Sequence, residues 1–275
     1  MTTVAGLLRA SALPALETRI LLEHVLGWRR TELITRDDEE LAEESVGRFE
    51  ALAQRRAAGE PIAQLVGTRE FFGLEFEVTP DVLIPRPETE LLVEIALEQM
   101  AGIEAPRVLD LGTGSGAIAV GIAFARDDAQ VWAVDRSAEA LAVAARNASR
   151  LLSPERKITL LESNWTDALE PALRFEVIVS NPPYIAQNDP HLSEGDLRFE
   201  PRTALTDEAD GLAAIRTIIQ TAPFFLTMGG SLWLEHGYDQ AADVRAQLTA
   251  RGFSDVRSER DLAGIERVSG GFFTA

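Results

Sequence analysis

The amino-acid sequence predicts an α/β protein in which a mostly parallel sheet, covered by helices on both faces, follows a small all-helical domain. After residue 88, short apolar runs typical of strands alternate with helical patterns, and this alternation favours parallel strands. Residues 1 to about 60 carry apolar side chains three or four positions apart, the pattern of amphipathic helices. A proline-rich connector lies between the two patterns. We therefore expect a helical domain at 1–62, a hairpin and linker at 63–87, and a larger domain at 88–275.

Three helices are predicted in the helical domain. Pro14 lies between the first and the second, and Gly27 ends the second. The third covers about 39–58, with acidic residues at its start as helix N-termini prefer. We interpret the acidic run at 37–44 as the solvated face of this third helix. At 64–78 the pattern becomes rich in β-forming residues around a glycine, which predicts a hairpin.

In the larger domain the alternation predicts the elements in a fixed order. They are a helix at 91–100, a strand at 107–111, a helix at about 116–126, a strand at 130–134, a helix at 137–150, strands at 157–161 and 175–179, a helix at 209–225, a strand at 230–235 and a helix at 239–251. Weaker strand patterns follow at 255–273. No internal repeat is present.

Composition excludes several classes of function. The chain has no Cys and three His without ligand spacing, so disulfides, thiolate sites and a zinc site are not expected, and we predict no metal. The net charge of −18 opposes direct binding to a polyphosphate backbone. The longest apolar run, 117–125, is at most half a membrane span, and no signal peptide is evident. We expect a soluble, cytoplasmic monomer that binds neither nucleic acid nor membrane.

A glycine loop follows the first predicted strand of the larger domain. The segment 110–116 reads Asp-Leu-Gly-Thr-Gly-Ser-Gly, and glycines in such a loop let a ligand approach the backbone. The spacing differs from the dinucleotide-binding motif and from a phosphate-binding P-loop. Asp135 ends the next strand, where a carboxylate can accept both hydroxyls of a ribose. A tight turn, and a helix N-terminal acid ahead of Ser137, are the alternative interpretations.

The sequence Asn181-Pro182-Pro183-Tyr184 follows the fourth predicted strand of the sheet. Two successive prolines fix the backbone and remove two N–H donors, so the carbonyl groups are aimed by the turn. The Asn181 side chain adds a second carbonyl, and Tyr184 adds an aromatic plane. Such a pair of rigid acceptors suits a planar NH₂ group; a simple proline turn capped by Asn is the alternative.

The glycine loop with Asp110 and Asp135 resembles the S-adenosylmethionine site of class I methyltransferases, and the Asn-Pro-Pro-Tyr segment resembles that of enzymes methylating planar nitrogens. The rest of the chain is similar to the release factor glutamine methyltransferases (the PrmC/HemK family), including the N-terminal helices. The segments that carry this resemblance are 84–90 (Ile-Pro-Arg-Pro-Glu-Thr-Glu), 196–201 (Asp-Leu-Arg-Phe-Glu-Pro), 204–205, 234–237 (Leu-Glu-His-Gly) and 266–268.

The resemblance implies a Rossmann-like class I methyltransferase fold with a seven-stranded sheet, joined through a hairpin to a helical substrate-recognition domain. It implies S-adenosylmethionine as cofactor and, as substrate, the Gly-Gly-Gln glutamine of class I peptide chain release factors. The implied cofactor-binding residues are Asp110, Gly112, Thr113, Gly114, Ser115, Gly116, Asp135, Trp165 and Asn181. The implied substrate-binding residues are Asn181, Pro182, Pro183 and Tyr184, of which Asn181, Pro182 and Tyr184 are catalytic.

In this interpretation the Asn181 side chain and the Pro182 carbonyl accept hydrogen bonds from the glutamine NH₂, Tyr184 packs on the amide plane and Trp165 lies against the adenine. Two fixed acceptors favour the pyramidal nitrogen of the transition state over the planar amide. No histidine base is needed, so we expect structural roles for His236 and Glu235. One departure from the family pattern is Asn164, which stands where an acid often precedes that Trp.

Several alternatives stay open on the sequence alone. Trp165 could be a core residue. The charged residues of the connector, Arg86, Glu88 and Glu90, could orient the loop or the substrate or could form surface ion pairs, and the same two alternatives apply to Arg198 and Glu200. The enzyme could methylate a glutamine of a ribosomal protein, or an adenine N6 of nucleic acid. The first 80 residues hold nine Arg and fourteen acidic residues, which disfavours the nucleic-acid enzyme. A non-catalytic cofactor-binding module predicts a damaged acceptor motif, whereas all four residues are intact.

Overall fold

The computed structural model of the protein describes residues 2–274. Within them the helices are α1 (Val4–Ala10), α2 (Ala15–Leu26), α3 (Arg30–Thr35), α4 (Glu43–Ala57), α5 (Ile62–Val66), α6 (Glu90–Gln99), α7 (Ala117–Ala125), α8 (Ala138–Leu151), α9 (Arg202–Leu205), α10 (Ala213–Thr221) and α11 (Ala241–Ala250). The strands are β1 (Thr68–Phe71), β2 (Leu74–Glu77), β3 (Arg107–Leu111), β4 (Gln130–Asp135), β5 (Ile158–Glu162), β6 (Phe175–Ser180), β7 (Leu226–Glu235), β8 (Phe253–Arg260) and β9 (Glu266–Phe273). The chain forms two compact units.

The helical unit contains residues 2–68 together with Glu194–Phe199. Its core is built from the apolar faces of α1, α2 and α4, with Leu21 and Phe49 among the buried side chains. Arg56 on α4 donates to Glu17 on α2 at 2.9 Å and to Asp196 at 2.8 Å. The charge-assisted bond to Glu17 joins α2 and α4, and the one to Asp196 holds the short segment Glu194–Phe199 within the helical unit.

Two predictions for the helical unit are wrong in detail. The third predicted helix begins at Glu43 rather than residue 39, because part of the acidic run is engaged elsewhere: the Asp37 carbonyl accepts from the Ala5 N–H, and Glu40 forms a β-bridge with Thr3. The acidic run at 37–44 is therefore only partly a helix face. Two short helices, α3 and α5, were not predicted; α5 lies where the sequence pattern changes to β-rich.

The larger unit is a seven-stranded sheet in the order β5-β4-β3-β6-β7-β9-β8, and β1 and β2 form a separate hairpin. Neighbours from β5 to β7 are parallel, whereas β9 runs antiparallel to both β7 and β8. The predicted class, a mostly parallel sheet with a helical domain and a hairpin, is thus confirmed. Ser180 at the end of β6 pairs with Leu111 of β3 and Leu234 of β7, so these strands end at one edge.

Both faces of the sheet are covered by apolar side chains. Helices α6 and α7 supply Val93 and Ile122 to one cluster, and α10 and α11 supply Ile218 and Val244 to the other. Burying such side chains contributes roughly 1.5–3 kcal/mol each. The rigid sheet thereby fixes the loops at the carboxyl ends of its strands, where ligands bind in open α/β folds.

Two elements of the larger unit begin four residues from their predicted starts. Strand β7 begins at Leu226, earlier than predicted. Helix α10 begins at Ala213 instead of residue 209, because the Asp207 carboxylate accepts from the backbone N–H groups of Ala209, Gly211 and Ala213 and folds that stretch into a loop. Across residues 2–274 every helix is too short or too polar to cross a lipid bilayer.

Candidate active site

A cleft with a volume of about 330 Å³ opens at the carboxyl edge of the sheet, within the larger unit. Of the residues predicted for the site, its walls contain Gly112, Thr113, Gly114, Ser115, Asp135, Trp165, Asn181 and Pro183. The other predicted residues, Asp110, Gly116, Pro182 and Tyr184, do not line the cleft but are neighbours in sequence of residues that do. The cleft thus brings the glycine loop and the Asn-Pro-Pro-Tyr segment together, although about seventy positions separate them in the chain.

Two glycines of the loop have different structural reasons to be glycine. Both adopt positive φ, +74° at Gly112 and +83° at Gly116, a region that costs other residues free energy. A Cβ on Gly112 would lie 3.4 Å from the Trp165 ring, and one on Gly116 would lie 3.1 Å from the Cβ of Ala144. Gly112 is therefore required by its positive φ, since a Cβ there would make only an ordinary contact with the Trp165 ring, whereas Gly116 also permits α7 to start tightly against α8.

Asp110 is a fully buried carboxyl beneath the glycine loop. Its Oδ2 accepts from the Thr113 hydroxyl at 2.7 Å, and its Oδ1 has no hydrogen-bond partner among the described residues. Burial, with a smaller contribution from the nearby Asp135 carboxylate, raises the pKa of Asp110 to about 7 against the lowering effects of the Thr113 hydroxyl and the Ala119 backbone N–H. Asp110 reaches the cleft only through Thr113.

Asp135 at the end of β4 is partly exposed on the cleft wall. Its Oδ2 accepts from the Gly114 N–H and its Oδ1 from the Ser137 N–H, both at 2.9 Å. A carboxylate has about four lone-pair sites, so each oxygen keeps capacity for a further donor. Asp135 thus holds the glycine loop and can also accept two hydroxyl groups from a ligand.

Trp165 lies on the cleft wall in a strained backbone conformation, with φ at +53°. Such conformations persist where the surroundings enforce them, often next to ligands. Asn164 lines the same wall and donates its side-chain NH₂ to Asp167 at 3.0 Å, which leaves its Oδ1 available as an acceptor.

The Asn-Pro-Pro-Tyr segment is held from three sides. The Asn181 Nδ2 donates to the Thr89 hydroxyl at 3.0 Å, and the Tyr184 hydroxyl donates to Glu235 at 3.3 Å. Gln240 donates to the Tyr184 carbonyl at 3.0 Å. Within residues 2–274, the Asn181 Oδ1 and the Pro182 carbonyl accept no hydrogen bond, so both oxygens keep their acceptor capacity.

Comparison with known proteins identifies this combination of units. Residues 2–67 match the family model described as the PrmC N-terminal domain, and residues 87–195 match the methyltransferase small domain. The release factor glutamine methyltransferase of Burkholderia pseudomallei is 68% identical over 98% of this chain and 95% of its own length. The chain belongs to the release factor glutamine methyltransferase family. The Escherichia coli member is 46% identical over 95% of this chain and 93% of its own length.

A solved structure independently supports the fold of this family member. The structure of a methyltransferase from Pyrococcus furiosus superposes on this chain with a TM-score of 0.54 at 20% sequence identity. The match covers 81% of this chain and 98% of the Pyrococcus protein. As a release factor glutamine methyltransferase family member, the chain is an enzyme that uses S-adenosylmethionine. The cleft fits that cofactor, since its volume of about 330 Å³ falls within the usual range of small-molecule sites, and a bare glycine backbone, an aromatic ring and a carboxylate with spare acceptor capacity all line it.

Two further carboxylates of this methyltransferase support the site; for Glu200 the sequence left open a surface ion pair or a role in orienting the loop or the substrate, and for Glu235 we expected a structural role. The Glu200 side chain is fully buried and accepts from the Ile84 N–H at 2.9 Å and from Arg86 at 2.5 Å. It therefore fixes the connector, and with it Arg86, on the cleft wall rather than forming a surface pair. Glu235, which we expected to be structural, contacts Thr89 and Tyr184. The only sequence signal was that both glutamates lie in segments carrying the family resemblance.

His236 is buried away from the cleft. Its Nε2 lies 2.7 Å from the Ser269 hydroxyl and its Nδ1 lies 2.9 Å from the Gly237 carbonyl. Burial lowers the pKa of His236, which favours the neutral ring. Among the described residues the ring makes no hydrogen bond to a predicted site residue, and no group of acidic, His or Cys side chains forms a metal-binding cluster.

Proposed function

We propose that this enzyme transfers a methyl group from S-adenosylmethionine to the side-chain amide nitrogen (N5) of the glutamine in the Gly-Gly-Gln loop of class I peptide chain release factors. The observation that carries the proposal is one cleft lined by both the glycine loop and Asn181 of the Asn-Pro-Pro-Tyr segment. The substrate class is supported by the relatives, which are release factor glutamine methyltransferases.

The cofactor would be held along the glycine-loop wall. Gly112, Thr113, Gly114, Ser115 and Gly116 would surround its methionine part, with Asp110 acting through Thr113. Asp135 would accept from both ribose hydroxyls through its spare lone pairs. Trp165 would lie against the adenine, and Asn181 would border both ligands. When bound, S-adenosylmethionine supplies a sulfonium-activated methyl carbon.

The acceptor amide would be held by the Asn-Pro-Pro-Tyr segment. The Asn181 Oδ1 and the Pro182 carbonyl would each accept one N–H of the glutamine side chain. Tyr184 would pack on the amide plane, and Pro183 would complete the wall. These two acceptors stabilise a nitrogen that becomes pyramidal and positive more than they stabilise the planar amide, and this difference raises the rate.

No general base is required of the protein. The N–H protons become acidic only as the methyl bond forms, and they already point at two acceptor oxygens from which solvent can take one. The neutral, buried His236 and the buried Glu235 stay outside this step. In-line placement of the two reactants can supply roughly 7–11 kcal/mol in favourable systems.

The domain assignment forms part of the proposal. Residues 1–62 would recognise the release factor, 63–87 would form the hairpin and linker, and 88–275 would carry the chemistry; residues 1 and 275 lie outside the described part of the chain. The helical unit has no cleft-lining residue, and a loop substrate on a large protein needs recognition beyond one side chain. The enzyme would act as a cytoplasmic monomer without direct contact to nucleic acid.

A parallel methylation assay tests this function. The enzyme is incubated with isotopically labelled S-adenosylmethionine and, separately, with a class I release factor, ribosomal proteins or DNA, and the modified residue is mapped by mass spectrometry. We expect one added methyl group on the Gly-Gly-Gln glutamine. Label on a ribosomal-protein glutamine or on adenine, with the release factor unmodified, would overturn the assignment.

A further inference from the structure

A chain of three hydrogen bonds connects the Asn-Pro-Pro-Tyr segment to a buried carboxyl. The Asn181 Nδ2 donates to the Thr89 Oγ1 at 3.0 Å, and the Thr89 hydroxyl donates to the Glu235 Oε2 at 2.7 Å. The other oxygen of Glu235 accepts from the Tyr184 hydroxyl at 3.3 Å. Thr89 is 5% exposed and Glu235 is 1% exposed, so water does not compete for these bonds.

The Thr89 side chain serves the site and not the start of the helix. Thr89 ends a 3-10 turn, Pro87–Thr89, that continues directly into α6, and its backbone is already helical (φ −70°, ψ −18°), so it is not in the extended conformation of a helix cap. Its side chain makes no capping hydrogen bond. Among the described residues, its hydroxyl bonds to Asn181 and Glu235.

The direction of the chain follows from the number of hydrogens. A threonine hydroxyl has one hydrogen, and an ionised carboxylate can only accept. Thr89 must therefore give its hydrogen to Glu235, and toward Asn181 it can then only accept. This turns the NH₂ end of the Asn181 carboxamide toward Thr89 and leaves the Oδ1 end for the cleft.

We propose that Glu235, acting through Thr89, is the positioning residue that orients the Asn181 carboxamide with its oxygen toward the substrate. The inference rests on the proposed function, in which that oxygen accepts an N–H of the glutamine. A carboxamide turned by 180° has nearly the same shape but presents NH₂ to NH₂. Without the chain, shape alone does not select the productive orientation.

The surroundings of Glu235 come from three elements besides β7. Tyr184 donates from the loop after β6, Arg267 of β9 favours the ionised form, and Glu88, in the turn before α6, opposes it. Burial is the largest effect and raises the pKa of Glu235 to about 7. A neutral Glu235 could donate to Thr89 and reverse the chain, so the productive orientation is expected to be lost as the pH falls.

Two substitutions at Thr89 test the inference. Thr89→Val keeps the shape but removes the hydroxyl, and Thr89→Ser keeps the hydroxyl. We expect Thr89→Val to lower kcat on the release factor about tenfold, the equivalent of one hydrogen bond, with an unchanged Kd for S-adenosylmethionine, and Thr89→Ser to restore most of kcat. The matched control is Thr249→Val on α11, whose hydroxyl donates to a helix carbonyl at 2.9 Å.

The pH profile separates positioning from mere structural support. With both substrates saturating, kcat of the wild type and of Thr89→Ser should rise through a pH of about 7, whereas Thr89→Val should show a flatter profile. Equal kcat values and profiles for the wild type and Thr89→Val, with glutamine still methylated, would overturn the inference alone. A wild type that leaves the release-factor glutamine unmodified would overturn the proposed function and the inference with it.

Discussion

Glu235→Gln is expected to make the folded protein more stable at alkaline pH. Glutamine has nearly the shape of glutamate, its carbonyl can accept from Thr89, and its NH₂ can donate to the Tyr184 oxygen. The substitution therefore removes a buried charge without leaving a cavity, and the one hydrogen bond it removes is that donated by the Tyr184 hydroxyl, which is long at 3.3 Å. Its effect should depend on pH, because the glutamate carries a charge only above its pKa.

The size of this effect follows from the pKa of the carboxyl. Burial raises the pKa of Glu235 from 4.5 to about 7. The folded state thus holds its proton more tightly than the unfolded state, so stability is lost as the pH rises from 4.5 to 7 and the loss is complete above 7. At about 1.36 kcal/mol for each pKa unit, the wild type loses about 3 kcal/mol over this window.

Urea denaturation at pH 5 and pH 8.5 measures the difference. We expect the free energy of unfolding of Glu235→Gln to exceed that of the wild type by a margin that is about 3 kcal/mol larger at pH 8.5 than at pH 5. The turnover of Glu235→Gln should fall, because its amide can also present NH₂ to Thr89. Glu94→Gln, at an exposed position on α6, is the control and should show no such pH dependence. A stability difference between Glu235→Gln and the wild type that is the same at both pH values would refute the reasoning.

Three further outcomes are expected. Asn181→Ala should bind S-adenosylmethionine normally by calorimetry but lose turnover by a factor on the order of 10² or more, whereas the exposed Asn188→Ala should not; a near-normal rate for Asn181→Ala would contradict the two-acceptor mechanism. Gly116→Ala should destabilise the fold by about 1–3 kcal/mol in urea, since φ is +83° and the new Cβ would lie 3.1 Å from the Ala144 Cβ. Removing residues 1–67, which stops short of β1, should abolish methylation of intact release factor with the cofactor Kd retained; unchanged turnover would contradict the recognition role.

The parallel sheet could be predicted because its strands carry their own signal. The strand predicted at 107–111 is β3 itself, and its neighbours were placed within a few residues. Buried parallel strands are continuous apolar runs, so burial and pattern agree there. The bounds failed where polar contacts decide them. The Asp37 carbonyl accepts from the Ala5 N–H, and the Asp207 carboxylate accepts from N–H groups at the start of the helix predicted at 209–225, so both helices start later than expected.

The cleft wall could be predicted from motifs, whereas its support could not. The glycine loop and Asp135 follow successive strands, and the carboxyl ends of parallel strands meet at one edge. The contact between Thr89 and Glu235 joins residues 146 positions apart, and that between Asn181 and Thr89 joins residues 92 apart. No local pattern encodes such pairs; they exist only once the turn before α6 lies over the ends of β6 and β7.

The buried carboxyl of Glu235 also shows why stability alone does not explain this edge of the sheet. An ionised carboxylate there costs about 3 kcal/mol above pH 7, a large share of the 5–15 kcal/mol that folded domains typically retain. A neutral amide or an apolar side chain would avoid that cost. A neutral amide, however, could also donate to Thr89, and an apolar side chain could not bond to it at all. Only a group that can do nothing but accept takes the Thr89 hydrogen, and Thr89 must then accept from Asn181. The loss of stability and the fixed orientation of Asn181 therefore have one origin, the negative charge, and a variant that removes the charge should change both together.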